Sequence, residues 1–333
     1  MVGNAIRKRT LVTGSAGLLG THMVKELLQQ GYPVRAMYHH TIPNLATNDN
    51  LEFFRADILD VFDVEEAFVG IDVVYHCAGL VRYQKDEALE IYKINVEGTA
   101  NIVNRALEAG IEKLIHVSSV AALGKLPEQK LITEKMIWIN KKDTSTYGHS
   151  KFLGEMEVWR GMAEGLNAVI VNPSIILGAG NWNEGSTKIF KTLYDGFPWY
   201  SPGTMGFVAA RDVAKAMLIL AESDIKDERF ILSAENYSYK KLFDHMADSF
   251  AIKRPHKKVT KFTANLVVVI GKVRKLFTGE KAFITSETAV TAMATTLYDN
   301  TKLLTATPAF KYENIVDVVN EVCGELKQNL NKQ

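Results

Sequence analysis

The stretch that most constrains this chain is Leu11-Val12-Thr13-Gly14-Ser15-Ala16-Gly17-Leu18-Leu19-Gly20. A short apolar strand, Thr10 to Thr13, runs straight into a turn with glycines three apart. An amphipathic helix carrying Met23, Val24, Leu27 and Leu28 follows. Glycines let a ligand approach the backbone closely. The start of a helix offers unpaired N–H groups and the positive end of the macrodipole, so strand, glycine turn and helix together favour an anion. The anion held by such a unit is the pyrophosphate of a dinucleotide, which puts Gly14, Ala16, Gly17, Leu18 and Gly20 at the phosphates. The spacing is G-x-x-G-x-x-G rather than the commoner G-x-G-x-x-G.

The first half of the chain alternates strand and helix, which predicts a parallel sheet covered on both faces. Strands are expected at Pro33 to Tyr38, Leu51 to Ala56, Asp72 to His76, Lys113 to Ser118 and Asn167 to Asn172. Helices are expected from Asp86 to Ala109 and from Ser145 to Glu164, with a short one beginning at Val64. Ser119 to Asp143 reads as loop. Past Pro173 the alternation weakens. Short strands at Phe207 to Ala210 and Arg229 to Leu232 lie among helices at Ser186–Leu193, Asp212–Glu222, Tyr239–Phe250, Thr263–Phe277 and Ile315–Leu326. This half lacks a core pattern of its own and reads as a smaller lobe interleaved with the last sheet strands.

With 333 residues, 47% hydrophobic, the chain is long enough for a large core. Its net charge of +1 gives no sign of a nucleic-acid partner. Cys77 and Cys323 lie far apart and form neither a metal spacing nor a disulfide framework, which fits a reduced, cytoplasmic setting. No histidine stands at ligand spacing from a cysteine or carboxylate, so no metal site is expected. The N-terminus has no signal-peptide pattern and the apolar run Leu266 to Ile270 is too short to span a bilayer. The basic, apolar stretch Phe262–Phe277 reads as a helix packed on its own domain, with contact to a membrane surface as the alternative.

Ser119, Tyr147 and Lys151 carry the chemistry. Tyr147 and Lys151 are four apart and share a helix face. A phenol is a poor proton donor at neutral pH, and a lysine ammonium one turn away is expected to stabilise the phenolate and lower its pKa. Ser119 ends a parallel strand, at the sheet edge where ligands sit. Together they suit proton transfer to a carbonyl or from an alcohol, beside a nicotinamide that gives or takes hydride.

Taken in order, these motifs resemble the extended short-chain dehydrogenase/reductases, the NAD-dependent epimerase/dehydratase family, and most nearly its dihydroflavonol-reductase-like branch. The resemblance covers about Lys8 to Ser233. It rests on Thr13-Gly14-Ser15-Ala16-Gly17-Leu18-Leu19-Gly20, Asp57-Ile58-Leu59-Asp60, Val74-Tyr75-His76-Cys77-Ala78-Gly79, Asn95-Val96-Glu97-Gly98-Thr99, Val117-Ser118-Ser119, Tyr147-Gly148-His149-Ser150-Lys151, Asn172-Pro173-Ser174 and Arg211-Asp212-Val213-Ala214. It implies an α/β fold: a Rossmann-type doubly wound parallel sheet, residues 1–175, with a smaller C-terminal α/β substrate lobe, residues 176–333. It implies that Ser119 rather than Ser118 is the active serine, that Tyr147 is the general acid/base, and that Lys151 also holds the nicotinamide ribose. Asn95 would fix its helix and a water, or serve only as a structural amide. Asp57 and Ile58 would lie beside the adenine, Cys77, Ala78 and Gly79 would close over the cofactor, Asn172, Pro173 and Ser174 would pack on the nicotinamide, and Val117 and Ser118 of the serine strand would also bind the cofactor. It further implies a homodimer pairing the helices of Asn95 and Tyr147.

An acid at the end of the second strand would hydrogen-bond an adenosine ribose 2′-OH, whereas a base would accept a 2′-phosphate. Val34-Arg35-Ala36-Met37-Tyr38-His39-His40 contains no acid, and relatives often place arginine where His39 stands, so the chain leans to NADP over NAD. Substrate-lining candidates fall in Ala121 to Trp138, Ile176 to Trp182 and Phe197 to Phe207, which are apolar and aromatic. Arg211 is the only arginine between Arg160 and Arg229, a thin supply for a nucleotide-sugar pyrophosphate. The expected activity is therefore NAD(P)-dependent reduction of a ketone or aldehyde of a small, largely apolar substrate. The alternatives are a nucleotide-sugar epimerase or dehydratase holding NAD tightly, and a non-catalytic dinucleotide-sensing regulator, against which Tyr147 and Lys151 argue.

Overall fold

The computed structural model describes residues 7–82, 85–125, 129–139, 145–260 and 291–330. The expected helix Thr263–Phe277 and its surface lie outside the described residues. The first half contains β1 (Thr10–Thr13), α1 (Leu18–Gln29), β2 (Val34–Tyr38), β3 (Leu51–Arg55), α2 (Val61–Ala67), β4 (Val73–His76), α3 (Ala88–Tyr92), α4 (Gly98–Ala109), β5 (Lys113–Val117), β6 (Leu131–Ile132), α5 (Thr146–Ala163) and β7 (Ala168–Pro173). The second contains β8 (Ile175–Leu177), α6 (Thr187–Tyr194), β9 (Trp199–Tyr200), β10 (Thr204–Ala209), α7 (Ala210–Glu222), β11 (Glu228–Leu232), β12 (Glu235–Ser238), α8 (Tyr239–Phe250), β13 (Lys257–Lys258), β14 (Leu297–Tyr298), α9 (Thr301–Ala306) and α10 (Ile315–Leu330).

Seven strands form one parallel sheet in the order β11-β7-β5-β4-β1-β2-β3. Side chains alternate across it as the pleat requires. Val12, Ile115, Val169 and Val171 face one core with Met23, Val24 and Leu27 of α1 and Val213, Met217 and Leu220 of α7. Their neighbours Leu11, Leu114, Ala168 and Ile170 face the other, with Val64 of α2, Ile102 and Val103 of α4 and Val158 of α5. Both faces are covered, which is why these strands read as unbroken apolar runs rather than alternating ones. A third core, around Phe190, Phe207, Leu242, Met246, Val319 and Cys323, builds the lobe beneath the small sheet β12-β10-β8. The seventh strand of the main sheet, β11, comes from this second half of the chain.

The long helix expected from Asp86 to Ala109 is present as one continuous helical run whose pitch changes along it. A 3₁₀ turn (Lys85–Glu87), α3, a wide π turn (Lys93–Glu97) and α4 follow one another. The π turn widens the backbone at Asn95, whose side chain bonds outside its own helix. The amide donates to the Leu80 carbonyl (3.0 Å) and its oxygen accepts from the Leu80 N–H (2.7 Å).

Candidate active site

The glycine turn has the shape an anion site needs. Gly14 has φ +65°, and a Cβ there would sit 2.7 Å from the backbone of Ala78, while a Cβ on Gly20 would sit 2.1 Å from the Gly14 carbonyl oxygen. The close approach of the β1 turn to Cys77-Ala78 thus excludes any side chain at Gly14. Helix α1 starts at Gly17 with no side-chain cap and no acid in its first turn, so its N-terminal dipole stays available to an anion. These residues fit a dinucleotide pyrophosphate. Ala16 and Leu18 lie in the same turn.

The carboxyl ends of β4, β5 and β7 open beside this turn. Cys77, Ala78 and Gly79 follow β4; Val117, Ser118 and Ser119 end β5; Asn172, Pro173 and Ser174 end β7. Burial pushes the Cys77 thiol up to about 12, which makes it inert rather than nucleophilic. Helix α5, capped by the Ser145 hydroxyl on the Gly148 N–H (3.0 Å), lays Tyr147 and Lys151 across these ends. The Tyr147 phenol hydrogen-bonds the Ser119 hydroxyl. The ammonium of Lys151 donates to the Val117 carbonyl at 2.7 Å. Asn95 reaches the same helix, donating to the Ser150 hydroxyl at 2.9 Å. Ser119, Tyr147, Lys151 and Asn95, more than fifty residues apart in sequence at the extremes, therefore meet at one edge.

The expected lowering of the tyrosine pKa is not what the geometry yields. Burial holds the Tyr147 phenol above its ordinary value, and the Ser119 hydrogen bond offsets only part of that shift. The lysine is the perturbed partner in the other direction. Burial lowers Lys151 to about 8, against opposing attraction from Glu155 and Cys77. As pH rises through that value the buried cation of this helix is lost.

At the end of β2, His39 Nε2 lies 3.5 Å from the Asp57 carboxylate, and the imidazoles of His39 and His40 stack with centroids 3.6 Å apart. Asp57 also accepts the Leu59 N–H, and the Ile58 carbonyl accepts from Asn101, so the turn after β3 is tied to α4.

The substrate-side candidates divide. Leu123, Met205 and Phe207 belong to the lobe core, with Met136 and Trp182 packed against it. Trp138 stacks on Phe152 of α5 (centroids 4.9 Å), and Trp182 on Phe250. Trp199 and Tyr200 form β9, each covered by a lysine, Lys257 and Lys240.

The model of the NAD dependent epimerase/dehydratase family matches residues 10–232. The chain belongs to this family. Among curated relatives, sterol demethylase protein B of Methylococcus capsulatus is 29% identical over 74% of this chain and 76% of its own. A putative dihydroflavonol 4-reductase of Synechocystis sp. is 29% identical over 73% of each chain. Cinnamoyl-CoA reductase 1 of Petunia hybrida is 27% identical over 66% of this chain and 71% of its own. Among solved structures, gox2253 superposes with a TM-score of 0.80 at 26% identity, covering 97% of this chain and 99% of that one. The UDP-glucuronic acid 4-epimerase of Bacillus cereus, in complex with NAD, shares the fold, with a TM-score of 0.76 at 19% identity over 96% and 99% of the two chains.

In this family member the site rests on a carboxylate that the motifs do not single out. Glu155, one turn beyond Lys151, is fully buried. It accepts from the Ser118 hydroxyl (2.8 Å), the Asn172 amide (2.9 Å) and Arg229 (2.7 Å). Asn172 also donates to the Ser119 carbonyl (3.0 Å), and Arg229 reaches on to the Glu134 and Met136 carbonyls. One charge thus joins the serine strand, the Tyr147–Lys151 helix, β7, β11 and the loop before α5. A signal existed: the buried positions Gly148, Lys151, Glu155, Val158 and Met162 follow a 3-4-3-4 spacing, with Glu155 on the stripe. A second linkage is fixed by its partners. Ala78 N–H donates to the Thr13 hydroxyl, Thr13 pairs with His76 Nδ1 (2.8 Å), His76 Nε2 pairs with Thr99 (3.1 Å), and Thr99 donates to the Asn95 carbonyl (2.9 Å). That order makes His76 neutral with its proton on Nε2. Burial lowers His76 to about 3.

Proposed function

We propose that this chain is an NADP(H)-linked oxidoreductase that reduces the carbonyl of a small, largely apolar ketone or aldehyde. The observation that carries the proposal is the contact of the Tyr147 phenol with the Ser119 hydroxyl, beside a buried Lys151 and the glycine turn. A dinucleotide bound there would supply the hydride. Gly14, Gly17 and Gly20 hold its pyrophosphate, Lys151 its ribose, and Ser174, whose buried hydroxyl has no hydrogen-bond partner among the described residues, faces the same edge. Ser119 orients the substrate oxygen and Tyr147 gives it a proton. Lys151, charged below pH about 8, favours the phenolate that remains.

The charge inventory supports an uncharged substrate over a nucleotide sugar. Arg211 is held by Glu313 (2.5 Å) and Glu321 (2.8 Å), and Arg229 is held by Glu155. Neither is available for a second pyrophosphate. Relatives named as reductases support carbonyl reduction as the reaction. NADP is favoured over NAD because the end of β2 carries imidazoles rather than an acid. The cytoplasm as the place of action and a homodimer through the helices of Asn95 and Tyr147 belong to the same proposal. Among the described residues, no helix is long and apolar enough to cross a membrane.

The test is NADPH consumption by the purified chain against a panel of ketones and aldehydes. Tyr147→Phe is expected to lower turnover by at least about a hundredfold, the scale of a lost general acid, with dinucleotide binding nearly unchanged. Wild-type turnover in that variant rejects the catalytic assignment. An equivalent of NAD retained through dialysis, with no net NADPH consumption on any carbonyl, rejects the reductase in favour of an epimerase or dehydratase.

A further inference from the structure

The lobe carries its positive charge unevenly. The chain as a whole is balanced, with 39 basic and 38 acidic side chains, yet residues 253–281 hold nine lysines and arginines and one acid, Glu280. The first part of that stretch has a defined place. It leaves the end of α8 and returns to β9, beside the start of α8: the His256 and Lys257 N–H groups donate to the Pro198 carbonyl, Lys257–Lys258 pair with Trp199–Tyr200, and the Val259 N–H donates to the Tyr200 carbonyl. On the main-sheet half, exposed cations such as Lys8 and Arg160 are matched, by Glu112 and by Glu157 and Glu164. At this edge of the lobe Lys240 is matched by Asp244 and Arg254 by Asp248. Lys241, Lys253, Lys257 and Lys258 are exposed and meet no carboxylate among the described residues. Uncompensated ammonium groups gathered at one edge favour a surface of opposite charge. Screening confines such a field to about 10 Å at 0.1 M salt, so the neutrality of the rest of the chain does not cancel it.

Two half-buried aromatic rings lie among these lysines. Lys257 Nζ is 5.4 Å from the ring centroid of Trp199, and Lys240 Nζ is 5.1 Å from that of Tyr200. One face of each ring is therefore occupied by a lysine and closed to a stacked nucleic-acid base. Rings with an apolar body and a polar tip, flanked by lysines, suit the headgroup layer of a bilayer instead. The apolar run Leu266 to Ile270 falls in the same basic stretch of sequence, a composition that a lipid surface rewards and an RNA does not.

We infer that the edge formed by β9, β13 and the segment joining α8 to β13 docks on an anionic membrane surface, with Lys241, Lys253, Lys257 and Lys258 on lipid phosphates and Trp199 at the headgroups. The contact is peripheral and electrostatic. It goes beyond the reductase reading and does not depend on it, because it concerns a surface of the lobe and not the catalytic edge.

The experiment is sedimentation of the full chain with vesicles of phosphatidylcholine alone, and of phosphatidylcholine with about one third phosphatidylglycerol. The chain is expected to sediment with the anionic vesicles and not with the neutral ones, and to be released by about 0.5 M salt. The triple variant Lys253→Gln, Lys257→Gln, Lys258→Gln is expected to lower the partition about a hundredfold, each lysine near such a surface contributing roughly a factor of five. Removing the same charge elsewhere, with Lys25→Gln, Lys93→Gln and Lys226→Gln at exposed positions of the main-sheet half, should leave it nearly unchanged. Thermal unfolding of both triple variants at the wild-type temperature shows that the fold is kept, and the lipid and salt comparisons need only the wild-type chain. No binding to the anionic vesicles, equal binding to the neutral ones, or an equal loss in the two triple variants overturns the inference. Binding to single-stranded polyuridylate without binding to vesicles assigns the patch to a nucleic acid and overturns it as well. The readout is lipid partition, so the reductase reading stands or falls separately, on NADPH consumption.

Discussion

Two arginine–carboxylate clusters hold this molecule together at opposite ends of the solvent scale. Below the site, the Arg229 side chain is 16% exposed and its partner Glu155 is 0% exposed. On the lobe surface, Arg211 is 42% exposed and binds Glu313 and Glu321 at 26% and 45%. Both are multiply hydrogen-bonded, and on a list of contacts they look alike. The solvent makes them different. Water screens the outer cluster, so its net worth is small. The inner one has no water to fall back on, so each partner is intolerable alone. The inner cluster therefore enforces geometry at Ser119 and α5, while the outer one only tacks α7 to α10 and the segment before it.

The contrast can be broken most sharply at Glu155. Glu155→Ala leaves Arg229 unpaired and the Ser118 hydroxyl and Asn172 amide without their acceptor. The expected loss is about 3–5 kcal/mol in urea unfolding. A loss below about 1 kcal/mol would mean that water reaches the pair and the comparison fails.

Acid tests the neutral half of the same buried framework. His76 titrates near 3 when folded and near its ordinary value of 6.5 when unfolded, so the unfolded chain binds the extra proton between those values. Stability is thus intact above pH about 6.5 and lost as pH falls below it. The expected loss from His76 is about 2 kcal/mol between pH 7 and pH 5. Fully buried His116, with its ring centroid 5.2 Å from that of His76 and also lowered by burial, adds in the same direction. Comparing unfolding at the two pH values for wild type and His76→Gln isolates the first contribution. An equal acid loss in the variant would assign the effect elsewhere.

The smallest effect belongs to the outer cluster. Arg211→Ala should cost under about 1 kcal/mol, and the cost should shrink further in high salt. A cost as large as that of Glu155→Ala would show that exposure is a poor guide here.

What the sequence makes legible follows from these same physics. The turn at Gly14 is readable because a backbone at φ +65° pressed against Ala78 admits only glycine, and that demand is written in one residue type. The alternation of strand and helix is readable because each strand is apolar on both faces. Tyr147 and Lys151 are readable as a pair by helical spacing. Arg229 is not, because strand pairing brings it to its place from distant sequence. The wide turn at Asn95 is hidden as well, since Ala88 to Ala109 is apolar-periodic throughout and the turn is chosen by the Leu80 contacts. In the lobe, Trp138, Trp182 and Phe207 announce burial, yet nothing local says whether a ring meets a ligand or another ring. Here Trp138 and Trp182 stack on Phe152 and Phe250, and Phe207 lies edge-on to Tyr239.

The origin of β11 in the second half sets an order on how the molecule can be made. As the chain is synthesised, the glycine turn, the serine strand and the Tyr147–Lys151 helix all emerge before Arg229. Until that arginine arrives and β11 docks on β7, Glu155 lacks its hydrogen-bonded ion-pair partner, and burying it is uphill. The helix that carries Tyr147 and Lys151 thus stays unlocked on the nascent chain, and the catalytic edge is among the last parts to close.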